Sequence, residues 1–256
     1  MKIFLYILIF IIGSFFGSFF TLAVYRIPKK EDILIKHSYC PNCNHKLGLF
    51  DLFPVFSYIF LGGKCRYCGL KIRPRYLILE IFSGLTFLIL AIVTKTNIEN
   101  LNGIIDLGFL LVYVSILFII AGIDKENIKI EKGVVIVGYI IETIYIIYQC
   151  TLGNINVYQY VIYLLMLLII LLLTCISLKR FLKEKYYIQI LYLFLYIIIF
   201  CGSKTYIIST ILTLMIIAIY RILSKKKTNE MPIGFFLCIA NIITIIILEL
   251  TKNYII

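Results

Sequence analysis

Residues 3–25 read IFLYILIFIIGSFFGSFFTLAVY, a stretch of 23 residues without a charge. A bilayer core is about 30 Å thick, and roughly 17–25 apolar helical residues cross it. The stretch therefore predicts a membrane span. It is too long for the apolar region of a secretory signal, has only Lys2 before it and lacks a small-residue cleavage site, so a retained helix is expected. Seven similar runs follow at 78–94, 104–123, 133–150, 156–178, 186–201, 205–222 and 232–250. Ile is abundant in them, which favours strands in water. In lipid the backbone must satisfy its own hydrogen bonds, and helix wins. Transmembrane strands would alternate in polarity, and these runs do not. The expected fold class is an all-α integral membrane protein of about eight transmembrane helices. Composition agrees: 62% hydrophobic residues, 15% charged residues and a mean hydropathy of +1.03 exclude a soluble globule or a disordered chain.

The formal charge of +12 is the next constraint. With eight alternating helices, 21 of the 25 basic residues fall on one side. Ten of them lie in the segment 26–77, from Arg26 to Arg75. The other side holds Lys2, Lys95, Lys204 and Lys252. Cytoplasmic connections carry such an excess, so both termini are expected outside and 26–77 in the cytoplasm. The excess then reflects an anionic lipid surface, and no nucleic-acid partner is expected. The expected parts are a first helix at 1–25, a cytoplasmic insertion at 26–77 and a seven-helix membrane body at 78–256.

Four of the eight Cys form two pairs, Cys40/Cys43 and Cys65/Cys68, with 21 residues between them. Two C-x2-C turns facing one another make a tetrathiolate metal site. Zinc is the expected ion, in a structural role, because four thiolates leave no open coordination position. A disulfide framework is the competing reading, and the cytoplasmic placement counts against it. His37 and His45 flank the first pair and are read as surface or supporting residues. Cys150, Cys175, Cys201 and Cys238 are scattered through apolar runs and read as small buried hydrophobes.

Acids are scarce, with 13 in the chain. Asp124 closes the third run at the expected cytoplasmic boundary; simple exposure to water is the plain alternative to a functional role. Glu142 lies mid-span in the fourth run, where an ionisable group marks either a functional site or a protonated, hydrogen-bonded carboxyl. Glu184 lies among the lysines of the connection before 186–201, and Glu249 lies near the outer end of the last run. Gly13 and Gly17 form a G-x-x-x-G, which permits close helix contact.

Several motifs together carry a resemblance. Gly17-Ser18-Phe19-Phe20 leads to Arg26-Ile27-Pro28; Cys40-Pro41-Asn42-Cys43 and Asp51-Leu52-Phe53-Pro54 follow; then come Gly63-Lys64-Cys65-Arg66-Tyr67-Cys68-Gly69, Arg75-Tyr76 and Glu80. This amino-terminal third resembles the type IV prepilin peptidases. The resemblance implies a membrane aspartic endopeptidase that removes the leader from type IV prepilins or pseudopilins at the cytoplasmic face. In many members it also implies methylation of the new amino terminus, with S-adenosylmethionine as cofactor. The family's first catalytic Asp lies in I-D-x-x-x-x-x-I-P-D. Ile123, Asp124 and Ile130 fit that spacing, while Glu131 and Lys132 replace the Pro and second Asp. By resemblance, Asp124 is catalytic.

The family's second Asp, in G-x-G-D-x-K, has no counterpart. The corresponding stretch reads Lys183-Glu184-Lys185-Tyr186-Tyr187-Ile188-Gln189, and no Asp follows Asp124. Glu184 is the acid in that connection and the expected substitute. Met231-Pro232-Ile233-Gly234-Phe235 loosely resembles the family's stretch before its last helix. Three readings follow: a processing peptidase with Asp124 and Glu184; an inactive homologue that binds pilin leaders or assists assembly; and a zinc-knuckled membrane transporter or scaffold.

Overall fold

The computed structural model describes residues 2–33, 37–40, 42–95, 100–154, 184–223 and 231–252, with positions 158, 161, 165 and 169. The long apolar runs fold as helices because lipid offers no partner to a free N–H or C=O. They are α1 (Lys2–Arg26), α3 (Arg75–Val93), α4 (Leu101–Asn127), α5 (Lys132–Thr151), α6 (Glu184–Leu223) and α7 (Ile233–Lys252), with a short α2 (Phe56–Phe60) inside the insertion. Among the described residues, five helices are long and apolar enough to span a bilayer: α1, α3, α4, α5 and α7. No strand occurs among the described residues, where β pairing is limited to two isolated bridges, Tyr39 with Lys46 and Lys64 with Lys71. The chain is an all-α, multi-pass membrane protein with a four-Cys insertion after its first helix.

One region differs from the expected pattern. The runs 186–201 and 205–222 lie within one 40-residue helix, α6. Only Gly202, Ser203 and Lys204 separate them. Gly disfavours a helix by only about 1 kcal/mol, and there is no Pro to break the chain. At 1.5 Å per residue α6 is about 60 Å long, twice the hydrocarbon thickness. The expected run 156–178 falls largely outside the described residues, as does Cys175.

The first 107 residues form one compact unit, in which α1 packs along α3. The contact is built on small residues. A Cβ on Gly13 would stand 2.9 Å from the Gly84 Cα, one on Gly17 would stand 2.7 Å from the Glu80 Cα, and one on Gly84 would meet the Ser14 Oγ at 2.5 Å. Ser83 donates a 2.7 Å hydrogen bond to the Gly13 carbonyl. Between helices in lipid there is no water to expel, so close van der Waals packing and such bonds supply the attraction. The sequence reading of Gly13 and Gly17 as a contact motif fits this geometry.

The second unit, from Gly108 onward, packs α6 against α7 and α5. Tyr113 is buried at its centre, stacked on Phe200 at 4.0 Å and on Tyr196 at 5.0 Å. Its hydroxyl donates to the Asn241 Oδ1 at 2.8 Å. Ile136, Val137, Ile140, Ile144 and Ile147 of α5 remain exposed, as lipid-facing residues do. In the first unit, Gly84→Ile is expected to lower stability by about 1–3 kcal/mol through overpacking. Thermal unfolding in detergent checks this, with Gly108→Ala as the control because open space surrounds that glycine.

Candidate functional site

The insertion builds its first site from two copies of one turn. The Cys40 N–H donates to the His45 carbonyl at 3.0 Å, and the Asn44 N–H donates to the Cys40 carbonyl at 2.9 Å. The second turn repeats this, with the Cys65 N–H on the Leu70 carbonyl at 2.8 Å and the Gly69 N–H on the Cys65 carbonyl at 2.9 Å. The residue after each pair takes a left-handed conformation: Asn44 at φ 56 and Gly69 at φ 69. Gly adopts it without strain, and Asn is among the residues that tolerate it best.

The four Sγ atoms all lie within 4.8 Å of one another, with Cys40 and Cys68 3.9 Å apart. Sulfurs about 2.3 Å from a tetrahedral ion would stand about 3.8 Å apart, so the cluster fits a metal ion. The electrostatics point the same way. The Leu70 N–H and the Asn42 amide favour the Cys68 thiolate and bring it down to about 6. The His45 N–H favours the Cys43 thiolate, but burial and the neighbouring Cys40 and Cys68 sulfurs outweigh it and push Cys43 up to about 11. Four thiolates this close repel one another until a cation joins them. His45 stacks on Tyr67 with ring centroids 3.5 Å apart, a supporting position. His37 offers its carbonyl to the buried Arg26 guanidinium at 3.1 Å, and the same guanidinium binds the Asp32 carbonyl at 3.0 Å.

Asp51 ties the segment before α2 to the second turn. Its carboxylate accepts from the Arg66 Nε at 2.7 Å, the Tyr67 hydroxyl at 3.1 Å and the Gly48 N–H at 3.1 Å. Against the upward push of burial, the Gly48, Arg66 and Tyr67 donors hold Asp51 below the usual carboxylate range. Glu80, buried in α3, accepts the Val55 N–H at 2.7 Å. Val55 sits at φ 64 and ψ −54, a costly conformation for a β-branched residue. Both acids lie in motifs of the resemblance; their partners were not readable from the chain.

The second site centres on Asp124, in the last turns of α4, with 0% of its surface exposed. The Tyr186 hydroxyl lies 2.9 Å from each carboxylate oxygen, and the Phe235 N–H donates to Oδ2 at 2.9 Å. The Gly234 N–H donates to the Tyr186 oxygen at 3.4 Å. Gly234 and Phe235 open α7, where free N–H groups and the helix dipole suit an anion. A Cβ on Gly234 would stand 3.0 Å from the Asp124 Oδ2, so a side chain there would press on the carboxylate. Ile130, fully buried, closes the site and donates its N–H to the Gln189 Oε1 at 3.0 Å.

Among the described residues, a phenol and a backbone amide, not a second carboxyl, meet Asp124. Glu184 opens α6, but its side chain lies outside the described residues. Tyr186 lies in the stretch Lys183–Gln189, where the resemblance points to a second Asp; its contact with Asp124 was not readable from the chain. Glu131 pairs with Lys129 at 2.6 Å. Glu142 is 2% exposed, and neither carboxylate oxygen has a hydrogen-bond partner among the described residues. Cys238 is buried and Cys201 half-buried.

Residues 11–94 match the family described as the bacterial peptidase A24 N-terminal domain. A prepilin leader peptidase/N-methyltransferase of Klebsiella pneumoniae is 31% identical over 114 residues, covering 42% of this chain and 50% of that protein. Its namesake in Vibrio cholerae is 37% identical over 97 residues, covering 34% and 37%. That of Bacillus subtilis is 32% identical over 117 residues, covering 46% and 44%. The chain thus spans half or less of the length of these curated relatives. No solved structure matches it.

Protein purified under reducing conditions is expected to carry about one tightly bound metal ion per chain. Elemental analysis reads this directly. The Cys40→Ser/Cys65→Ser double variant should lose the ion and lower the unfolding temperature.

Proposed function

From membership of the type IV prepilin peptidase family, which its amino-terminal third carries, we propose that this chain processes leader peptides of type IV prepilins or pseudopilins at the cytoplasmic membrane face. The observation behind the proposal is Asp124: it falls at the family's spacing and lies in a closed polar pocket at the start of α7. An aspartic endopeptidase needs a carboxylate that takes a proton from water and an acid that protonates the substrate carbonyl. Two carboxyls close together share one proton and fill both roles. Asp124 is the proposed base, and Glu184 the proposed second acid. Cleavage requires the Tyr186 hydroxyl to move off Asp124, because the carboxylate, held by that phenol and the Phe235 N–H, is closed off from water.

The ten basic residues of 26–77 support a cytoplasmic insertion with the amino terminus outside; an outside carboxy terminus rests on eight separate spans, which the continuous α6 does not provide. The four thiols support zinc as a structural ion that folds an insertion too small for a core of its own. The relatives' names join the peptidase to an N-methyltransferase. That second activity, with S-adenosylmethionine as donor, is carried over as a further proposal.

A second reading has its own support. With Tyr186 and the Phe235 N–H on Asp124, the site is built to hold a carboxylate still. A homologue that binds leaders without cutting them would show this arrangement.

Co-expression with a prepilin, followed by gel mobility and amino-terminal mass, separates the readings. Under the first, Asp124→Asn slows processing by at least about 100-fold, the usual scale for a lost acid–base group. Glu184→Gln slows it comparably, while Tyr186→Phe leaves cleavage in place. Normal processing by Glu184→Gln removes Glu184 from the mechanism. An uncut prepilin that co-purifies with the unaltered protein establishes the second reading.

A further inference from the structure

The stretch from Leu49 to Phe60 reads LFDLFPVFSYIF. It lies in the insertion, yet it is more apolar than a water-facing loop. Leu49 is 86% exposed, Phe50 85%, Phe60 83% and Ile59 62%, with Phe53 and Phe56 also exposed. So many large apolar groups on one short segment do not belong in water.

Two independent contacts fix its depth. The Phe53 ring meets Phe15 of α1 edge-on at 5.3 Å. Phe15 lies 11 residues from the end of α1 at Arg26, about 16 Å along the helix at 1.5 Å per residue. The Val55 N–H binds Glu80 of α3. Glu80 lies five residues from the start of α3 at Arg75, about 8 Å along it. Both helices are long and apolar enough to span a bilayer. Half a hydrocarbon core is about 15 Å thick, so the middle of the segment lies beside the apolar half-thickness of the bilayer.

Non-helical backbone at that depth must have its polar groups satisfied by protein, and several of the segment's N–H groups are. The Asp51 N–H binds the Gly48 carbonyl, the Leu52 N–H the Leu49 carbonyl and the Ser57 N–H the Phe53 carbonyl. Pro54 has no N–H, and Glu80 takes that of Val55. The Asp51 carboxylate is turned onto Arg66 and Tyr67. Exposed Lys46, Lys64, Lys71 and Arg73 flank the segment in the two knuckle turns and beyond. An apolar tip with a basic collar suits acyl chains below and anionic headgroups around.

We propose that Leu49–Phe60 is a re-entrant segment inserted in the lipid, pinning the tetrathiolate knuckle to the membrane surface. The partner is the bilayer itself. Glu80 holds the insertion down by accepting the N–H of the strained Val55. This inference stands on the membrane helices and not on the proposed peptidase activity.

The chain contains no Trp, so one introduced indole reports alone. Phe60→Trp and Phe50→Trp place it at exposed positions that make few packing demands. Lys46→Trp serves as the control on the first knuckle turn. Each full-length variant is reconstituted in vesicles of zwitterionic and anionic phospholipid, with or without bromine on the acyl chains. The proposal expects blue-shifted emission at positions 60 and 50, quenched roughly twofold or more by brominated chains, as for groups 5–10 Å below the headgroups. Lys46→Trp should emit as in water and ignore the bromine. Water-like, unquenched emission at both positions overturns the proposal. Bromine-insensitive emission that shifts only on adding a prepilin-type apolar peptide overturns it too, and assigns the surface to peptide.

Discussion

A polar group away from water must find its partner inside the protein, and in this chain that constraint decides where Asp124, Glu80 and Tyr113 sit. The interior of a bilayer offers nothing to an N–H, a carbonyl or a carboxylate. Asp124 is therefore surrounded by donors from two other helices. Glu80 meets the one N–H that a strained loop residue leaves over, and Asn241 meets the Tyr113 hydroxyl. Glu142, whose carboxylate oxygens stand without such partners among the described residues, departs from the rule, as does the Asn241 Nδ2.

The same constraint explains how α1 and α3 meet. Lipid tails are as apolar as the helices, so surface burial gives little reason to associate. Gly13, Gly17 and Gly84 let the backbones approach until Ser83 reaches a main-chain carbonyl. That close pair is the platform on which the insertion rests through Phe53, Val55 and Arg26. The knuckle turns at the insertion's outer end rely on other chemistry: sulfur and repeated turn geometry in place of an apolar core.

Much of this was legible in the chain. Apolar runs longer than a bilayer is thick have one stable conformation, so the expected spans at 3–25, 78–94, 104–123, 133–150 and 232–250 reappear within a few residues. The boundary between 186–201 and 205–222 was not legible as a continuous helix, because three polar or small residues look alike in a turn and in a helix. The four Cys were identifiable from spacing, since two residues is the gap that lets one turn present both sulfurs. Asp124 stood out through resemblance, and the missing second Asp showed in the same comparison.

The sequence by itself determined the class of the protein, its two pairs of closely spaced thiols and the absence of any Asp beyond Asp124. These depend on composition and on distances along the chain, which need no partner to be defined. The tertiary structure alone decided that Tyr186 and the Phe235 N–H hold Asp124, that Glu80 serves Val55, and that Phe53 lies beside Phe15. Each joins residues from 25 to more than 100 positions apart. The physical reason is that a buried polar atom takes whichever donor the packed helices bring within 3 Å, and no local pattern records that choice.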